Sequence, residues 1–377
     1  MGVGKVEGRF GLATLGLCFA LLGAASNGSA AGETSDHLNV VVTIKPVHSL
    51  VTQVMEGLGQ PSLLIDGRAS PHAFSLRPSD AKALSDADVV VRVGPAVEPF
   101  TVRLSQTLSS ATRLVTLQDA AGVKLLETRR GSRFEAHDHG DAHQREDQPA
   151  HEHEHEQAKR DGGHDGAHDE GDKVAHEHGQ DHREDAHGRE SDESHDHDHE
   201  EGGIDGHIWL DPDNAKAIVR QIADLLGALR PDLKDKLAAN ATKAIAGIDA
   251  LDAQIRADIA PITGKRFIVF HDAYQYFERH YGLQAAGAIT LNPEVKPSAR
   301  RLSEIRQTLV DTSARCVFAE PQFSPRIVAS VIEGTNAKAG TLDPLGADIP
   351  AGTGQYSALM RAIAKDLVGC LGAPAAP

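Results

Sequence analysis

The sequence has no apolar stretch long enough to span a bilayer, since a membrane helix needs roughly 20 apolar residues. The longest candidate, Leu12 to Leu22 behind Lys5 and Arg9, is shorter and leads to the small residues Gly28-Ser29-Ala30-Ala31. That is the pattern of a cleavable export signal over residues 1–31. Cys18 lies in this run without a convincing lipobox around it, so a soluble exported chain is expected, not a lipid-anchored one. There is also no G-x-x-x-x-G-K-[ST], no G-x-S-x-G and no complete G-x-G-x-x-G, which removes the usual signs of nucleotide binding and acyl chemistry. Basic excess is missing too. Of 54 acidic and 38 basic side chains, 24 and 6 lie in residues 135–201, leaving 30 and 32 elsewhere. A body so nearly neutral is a poor binder of nucleic acid phosphates, and the formal charge of -16 belongs to one segment.

Cysteine is scarce as well. Loss of a leader containing Cys18 leaves Cys316 and Cys370, and an even pair in an oxidising compartment reads as a disulfide. Two buried free thiols are the alternative that these residues leave open.

What is abundant is histidine, and 15 of the 21 lie within residues 135–201. Runs such as His151-Glu152-His153-Glu154-His155 alternate imidazole and carboxylate with almost no apolar residues, so the segment is expected to be a disordered insertion. Beyond acting as a spacer, such a tract suits capture of borderline divalent metals. The formal H-E-x-x-H at 151–155 has no apolar helix to present its outer histidines and is discounted as a protease site.

Strand patterns at Leu38 to Ile44, Ser62 to Ile65, Asp88 to Val93 and Arg113 to Leu117 alternate with helical stretches near 47–58, 78–86 and 96–109. The rhythm returns at Arg266 to Phe270, Gln284 to Ile289 and Cys316 to Ala319, with helices near 272–281, 298–311, 325–333 and 355–369. Such alternation predicts an α/β fold of two lobes, each a parallel sheet flanked by helices. The expected division is an N-terminal lobe over 32–230 containing the insertion, a rigid linker helix over 231–260 and a C-terminal lobe over 261–377. Leu233, Leu237, Ile245, Ile248, Leu251, Ile255 and Ile259 supply the apolar spacing for that linker.

Outside the tract stand His37, His48, His72, His207, His271 and His280. Of these, His72, His207 and His271 follow strand patterns, where ligands of α/β lobes collect. Taken singly, each is more often a satisfied structural side chain than a ligand. Five motifs change that weighting: Ser70-Pro71-His72-Ala73-Phe74-Ser75-Leu76-Arg77-Pro78, Gly206-His207-Ile208-Trp209-Leu210-Asp211-Pro212, Phe270-His271-Asp272-Ala273-Tyr274, Phe318-Ala319-Glu320-Pro321-Gln322 and Leu342-Asp343-Pro344-Leu345-Gly346. In this order they resemble the cluster A-I family of metal substrate-binding proteins, and within it the periplasmic zinc-binding proteins of high-affinity zinc ABC uptake systems.

The resemblance implies two α/β lobes joined by a long helix, with metal in the cleft, and matches His72, His207 and His271 to the family's ligand histidines. Where manganese relatives usually carry Glu, this chain has His271, and three imidazoles suit Zn²⁺ better than Mn²⁺. Asp343 matches a carboxylate that ligates manganese in those relatives and lies near the site in zinc members, so it is the leading candidate for a fourth group, as a ligand or as a support behind the ligands. Pro71 stands where some zinc members carry a Glu near the metal. Asp272 and Glu320 are candidates to orient the ligands, His48 is a weaker candidate for metal contact, and His37 and His280 are taken as surface residues. The resemblance also matches Cys316 and Cys370 to a disulfide found in several members.

The expected function is therefore capture of Zn²⁺ as cargo and its delivery to a membrane permease, without catalysis. A monomer is expected, with a periplasmic zinc chaperone as a further candidate partner. The alternatives are a zinc buffer or metal-binding adhesin whose active part is the His-rich segment, and a zinc hydrolase, which lacks an identifiable general base.

Overall fold

The computed structural model describes residues 38–131, 133–134 and 203–372, together with Met1 and Gly2. The expected leader beyond Gly2, His37 and the expected disordered insertion at 135–201 lie outside the described residues.

The first sheet consists of β1 (Val40–Ile44), β2 (Ser62–Ile65), β3 (Val89–Arg92) and β4 (Arg113–Thr116), all parallel, in the order β2-β1-β3-β4. Runs such as Val40-Val41-Val42 are buried throughout, as expected of a parallel strand covered on both faces. Helices α1 (Lys45–Val54), α2 (Pro78–Ser85) and the single turn α3 (Leu104–Thr107) connect these strands. A two-residue antiparallel pair, β5 (Leu126–Glu127) and β6 (Ile204–Asp205), brackets the insertion.

Helix α4 (Pro212–Leu229) starts where the Asp211 carboxylate accepts from the Asp213 N–H at 2.7 Å and Pro212 occupies the first turn, where its missing N–H costs nothing. After a 3₁₀ turn at Pro231–Leu233 comes α5 (Lys234–Ile259), and a second 3₁₀ turn at Ala260–Ile262 ends it. The 26 residues of α5 span about 39 Å at 1.5 Å per residue.

The second sheet holds β7 (Phe267–His271), β8 (Ala285–Thr290), β9 (Cys316–Ala319) and β10 (Lys338–Thr341), again parallel, in the order β10-β9-β7-β8. Its helices are α6 (Gln275–Tyr281), α7 (Ala299–Asp311), α8 (Arg326–Ile332) and α9 (Gln355–Leu371). One face of this sheet packs with α7 and α8 around Ile268, Ile305 and Val317. The opposite face belongs to a larger core that continues through α9, α5 and α1 into the first sheet, with Val42, Leu50, Ile248, Phe318 and Leu359 in one cluster. Cys316 in β9 and Cys370 in α9 form a disulfide. Among the described residues no helix is long and apolar enough to cross a membrane.

Candidate metal centre

The carboxyl ends of the strands of both sheets face a common cleft. His72 enters it on a 3₁₀ turn, Pro71–Ala73, reached from the end of β2. His207 follows β6, and His271 is the last residue of β7. The three rings meet with centroids 5.2 to 5.6 Å apart, and one nitrogen from each lies within 4.8 Å of the others. His207 and His271 are buried and His72 is half-buried.

Two carboxylates fix the rings. Asp205 Oδ1 accepts both the backbone N–H of His207 at 2.9 Å and its Nδ1 at 2.8 Å. Glu320 Oε1 accepts from His271 Nδ1 at 2.6 Å and from its backbone N–H at 3.3 Å. An ionised carboxylate can only accept, so each Nδ1 carries the proton and each neutral ring leaves a lone pair on Nε2. Those two Nε2 atoms face each other at 3.3 Å. Lone pairs so opposed repel unless a second proton on one ring turns the contact into a hydrogen bond or a cation draws both nitrogens. Two nitrogens on a tetrahedral Zn²⁺, each about 2.0 to 2.1 Å from the metal, would be roughly 3.3 to 3.4 Å apart. His72 Nε2, buried and without a hydrogen-bond partner, completes a set of three donors. Burial, and then the neighbouring His207 and His271, push the His72 pKa down to about 2, so this ring is neutral at any physiological pH. Burial alone would lower His271, yet Glu320 outweighs it and holds its pKa above the ordinary value.

The donors border a cavity of about 10 Å³, enough for one small ion or water, walled by Pro71, Trp209, Phe323, Pro344 and Leu345. Glu320 Oε2 and Gln322 Oε1 belong to residues lining it and have no hydrogen-bond partner among the described residues. A wider cleft of about 760 Å³ opens outward past Ala96, Thr128, Gly131 and Glu294.

Other sequence candidates sit elsewhere. Asp343 is not in the histidine group: its Oδ1 accepts from Gln322 Nε2 at 2.9 Å and Leu345 N–H at 3.0 Å, and its Oδ2 from Ala347 N–H at 2.6 Å. Asp272 does not touch a ligand ring in this arrangement; it is held by Arg129, which also pairs with Glu278 at 2.8 Å. His48 is buried outside the group, its Nε2 hydrogen-bonded to the Pro61 carbonyl at 2.9 Å. His280, expected at the surface, is half-buried between Asp211, at 3.2 Å, and Asp252, at 2.8 Å, where the start of α4 meets α5. Asp205 was absent from the sequence candidates. Its signal is an acidic residue two positions before a candidate ligand histidine, a spacing that lets one carboxylate reach both the backbone and the ring.

A family model described as the periplasmic zinc-uptake complex component A matches residues 40–370. A high-affinity zinc uptake system protein ZnuA from Brucella abortus is 41% identical over 360 residues, 96% of this chain and 98% of the relative. Proteins of the same name from Paracoccus denitrificans and Yersinia pestis are 38% and 34% identical, covering 94% and 88% of this chain and 98% and 91% of their own. Among solved structures, a crystal structure of ZnuA superposes with a TM-score of 0.63 at 22% identity, covering 89% of this chain and 99% of that one. The laminin-binding protein of Streptococcus agalactiae, described as having adhesin and metal-transporting activity, gives 0.62 at 22% identity over 89% and 99%. These two likenesses show a shared fold.

Proposed function

The chain belongs to the periplasmic zinc-uptake component A family, the zinc-binding proteins of high-affinity uptake systems, and we propose that it holds its cargo between His72, His207 and His271. The family is one of transport proteins, not a class of enzymes, and implies Zn²⁺ as cargo and an ABC permease as recipient. The observation that carries the ligand assignment is the opposed pair of Nε2 atoms at 3.3 Å, each ring locked from behind by a carboxylate. In a transport site the metal must leave again. Three neutral donors with no thiolate hold zinc firmly while leaving a coordination position for water or an incoming group. Asp343, with both oxygens engaged in its own turn, would have to give up hydrogen bonds to serve as fourth ligand.

The test uses the only tryptophan, Trp209, whose ring lies 5.3 Å from that of His207 and whose emission should report occupancy. Titration of the metal-free protein with Zn²⁺ against a chelator should give one tight site that changes Trp209 fluorescence. The combined His72→Ala, His207→Ala and His271→Ala variant should lose it. A triple variant that kept the tight site would falsify the assignment. A leader removed from residues 1–31, a monomeric state and zinc exchange with a periplasmic chaperone belong to the same reading. N-terminal sequencing of the exported protein, sedimentation and transfer assays address them in turn.

A further inference from the structure

The two carboxylates behind the ligand rings differ from the other buried acids nearby. Asp272 and Glu278 flank the guanidinium of Arg129 and are compensated by it. Asp205 and Glu320 are 4% and 3% exposed, and among the described residues their only ion-pair partners within 4.0 Å are His207 and His271. Burying a carboxylate with no fixed cation beside it is costly; Glu320 lines the small cavity, and Asp205 reaches it only through the ring of His207. Hydrogen bonds alone do not remove the charge. With all three imidazoles neutral, a cation of charge +2 at their focus would bring the cluster to neutrality, whereas a cation of charge +1 would leave it negative.

We propose that Asp205 and Glu320 are specificity-determining residues that select the charge of the bound ion, favouring a divalent cation over a monovalent one that three imidazoles would otherwise accept. This rests on the reading that His72, His207 and His271 hold the zinc. Neither carboxylate needs to touch the metal. Each acts across one imidazole, through its charge and through the ring orientation it enforces. Charge and orientation can be separated here. Asparagine or glutamine keeps a carbonyl oxygen able to accept from Nδ1 and from the backbone N–H, so the ring stays aimed. At Asp205 the second oxygen accepts from the Gln275 amide nitrogen at 3.1 Å when that amide is turned to donate; the same nitrogen donates to the Glu127 carbonyl at 3.1 Å, so Asp205→Asn also disturbs Gln275, whereas Glu320→Gln leaves that contact alone.

The energy between a fixed charge and a cation at one distance scales with the cation's charge. Removing one carboxylate charge should therefore cost Zn²⁺ twice as many decades of affinity as it costs Cu⁺. Losses of about 10- to 100-fold for Zn²⁺ are the usual range for changing a partner of a ligating histidine, so Cu⁺ should lose only about 3- to 10-fold. A merely structural loosening of the rings would weaken both ions by similar factors.

The experiment measures Zn²⁺ and Cu⁺ affinities by chelator competition, anaerobically for Cu⁺, on the full chain and on Asp205→Asn, Glu320→Gln and the triple histidine variant. Histidine ¹⁵N shifts of the metal-free proteins check that the Nδ1–H tautomer survives. The proposal expects intact tautomers and a Zn²⁺/Cu⁺ preference that falls in each neutralised variant. Equal losses for both ions, or no loss, overturn it. The two single variants are independent, so one that fails to fold by circular dichroism leaves the other to decide. If the triple variant loses zinc while Asp205→Asn and Glu320→Gln keep the wild-type preference, charge selection falls and the ligand assignment stands. If the triple variant keeps its tight zinc, the ligand assignment itself falls.

Discussion

Three side chains of one chemical type meet in the cleft, yet their surroundings make them unequal acids. His72 has no hydrogen-bonded carboxylate, and burial beside two other imidazoles pushes its pKa to about 2, so it offers protons no competition with a metal. His271 is the opposite case, because Glu320 raises its pKa above 6.5 despite full burial. Metal binding requires the neutral ring. Zinc affinity should therefore begin to fall on acidification at a pH above the ordinary 6.5 of a free histidine, and the fall should be set by His271, not His72. Zinc titrations at half-unit steps from pH 8.5 to 5.5 read this directly. An affinity flat down to pH 6 would contradict it. The motifs name the three histidines that meet in the cleft and Glu320 that contacts one of them, but they do not name Asp205. Asp205 is the last residue of the two-residue β6 and stands outside the motifs, and only the fold shows its oxygen reaching His207. Asp343, a candidate for the fourth group or for a place behind the ligands, lies outside the histidine group in this structure. Gly346, with φ of 66°, turns the chain so that the Ala347 N–H returns to its carboxylate and closes a self-contained loop.

At the level of elements, repeated strand and helix patterns gave the two sheets to within a residue or two, because fully buried parallel strands announce themselves as apolar runs. The misses have separate causes. Lys338-Ala339-Gly340-Thr341 forms the edge strand β10 with mostly exposed residues and no alternation to read. The helix expected over 96–109 is instead a 3₁₀ turn at Pro99–Arg103 and the short α3, because Glu98 folds back to accept the Val93 and Gly94 N–H groups at 2.8 and 3.1 Å. Burial raises the Glu98 pKa to about 7, against hydrogen bonds that lower it. A carboxyl whose folded pKa is raised favours folding most when protonated, so its stabilising contribution is present below the unfolded pKa of about 4.5 and lost as pH rises through 7. The loss amounts to roughly 3 kcal/mol by the shift alone. Denaturation of the metal-free protein in urea should show stability declining from pH 5 to 7.5, with a smaller decline in Glu98→Gln. Identical pH profiles for the two proteins would rule this out. The Cys316–Cys370 disulfide acts on a different pair of elements, tying β9 to α9 across a sequence separation of 54. Closing a loop of that size restricts the unfolded chain by about 4 kcal/mol in the entropy model. Cys370→Ser should lower stability by up to that amount without changing zinc affinity, since the bond lies outside the ligand set. A loss of zinc binding with the fold intact would show the assignment of roles to be mistaken.

The whole molecule has two sheets but does not divide its core between them. Helix α5 packs on α4, α1 and α9, and its Asn240 amide donates to the Val54 and Glu56 carbonyls at 2.9 Å. Across the cleft side, Lys45 Nζ donates to the Ala347 carbonyl at 2.8 Å, Ser49 Oγ to Thr353 at 3.1 Å, and Trp209 Nε1 to Pro344 at 2.8 Å. These bonds join elements before α5 to the loops after β10, so the stiff helix is only one of several ties. Such a molecule is expected to capture and release its ion by local movement of loops and side chains, with no wide hinge opening, because separating the halves would expose part of a shared apolar core. The same continuity predicts how the protein unfolds. If neither half keeps a complete core without the other, calorimetry of the metal-free protein should show one cooperative transition with equal calorimetric and van't Hoff enthalpies. On the proposed ligand set, which draws on both halves, zinc should raise that single transition by a few degrees without splitting it; free metal at 100 times its Kd adds about 2.7 kcal/mol. Two resolved transitions, or a zinc shift confined to one of them, would mean that the halves fold independently and that the ion, not the core, joins them.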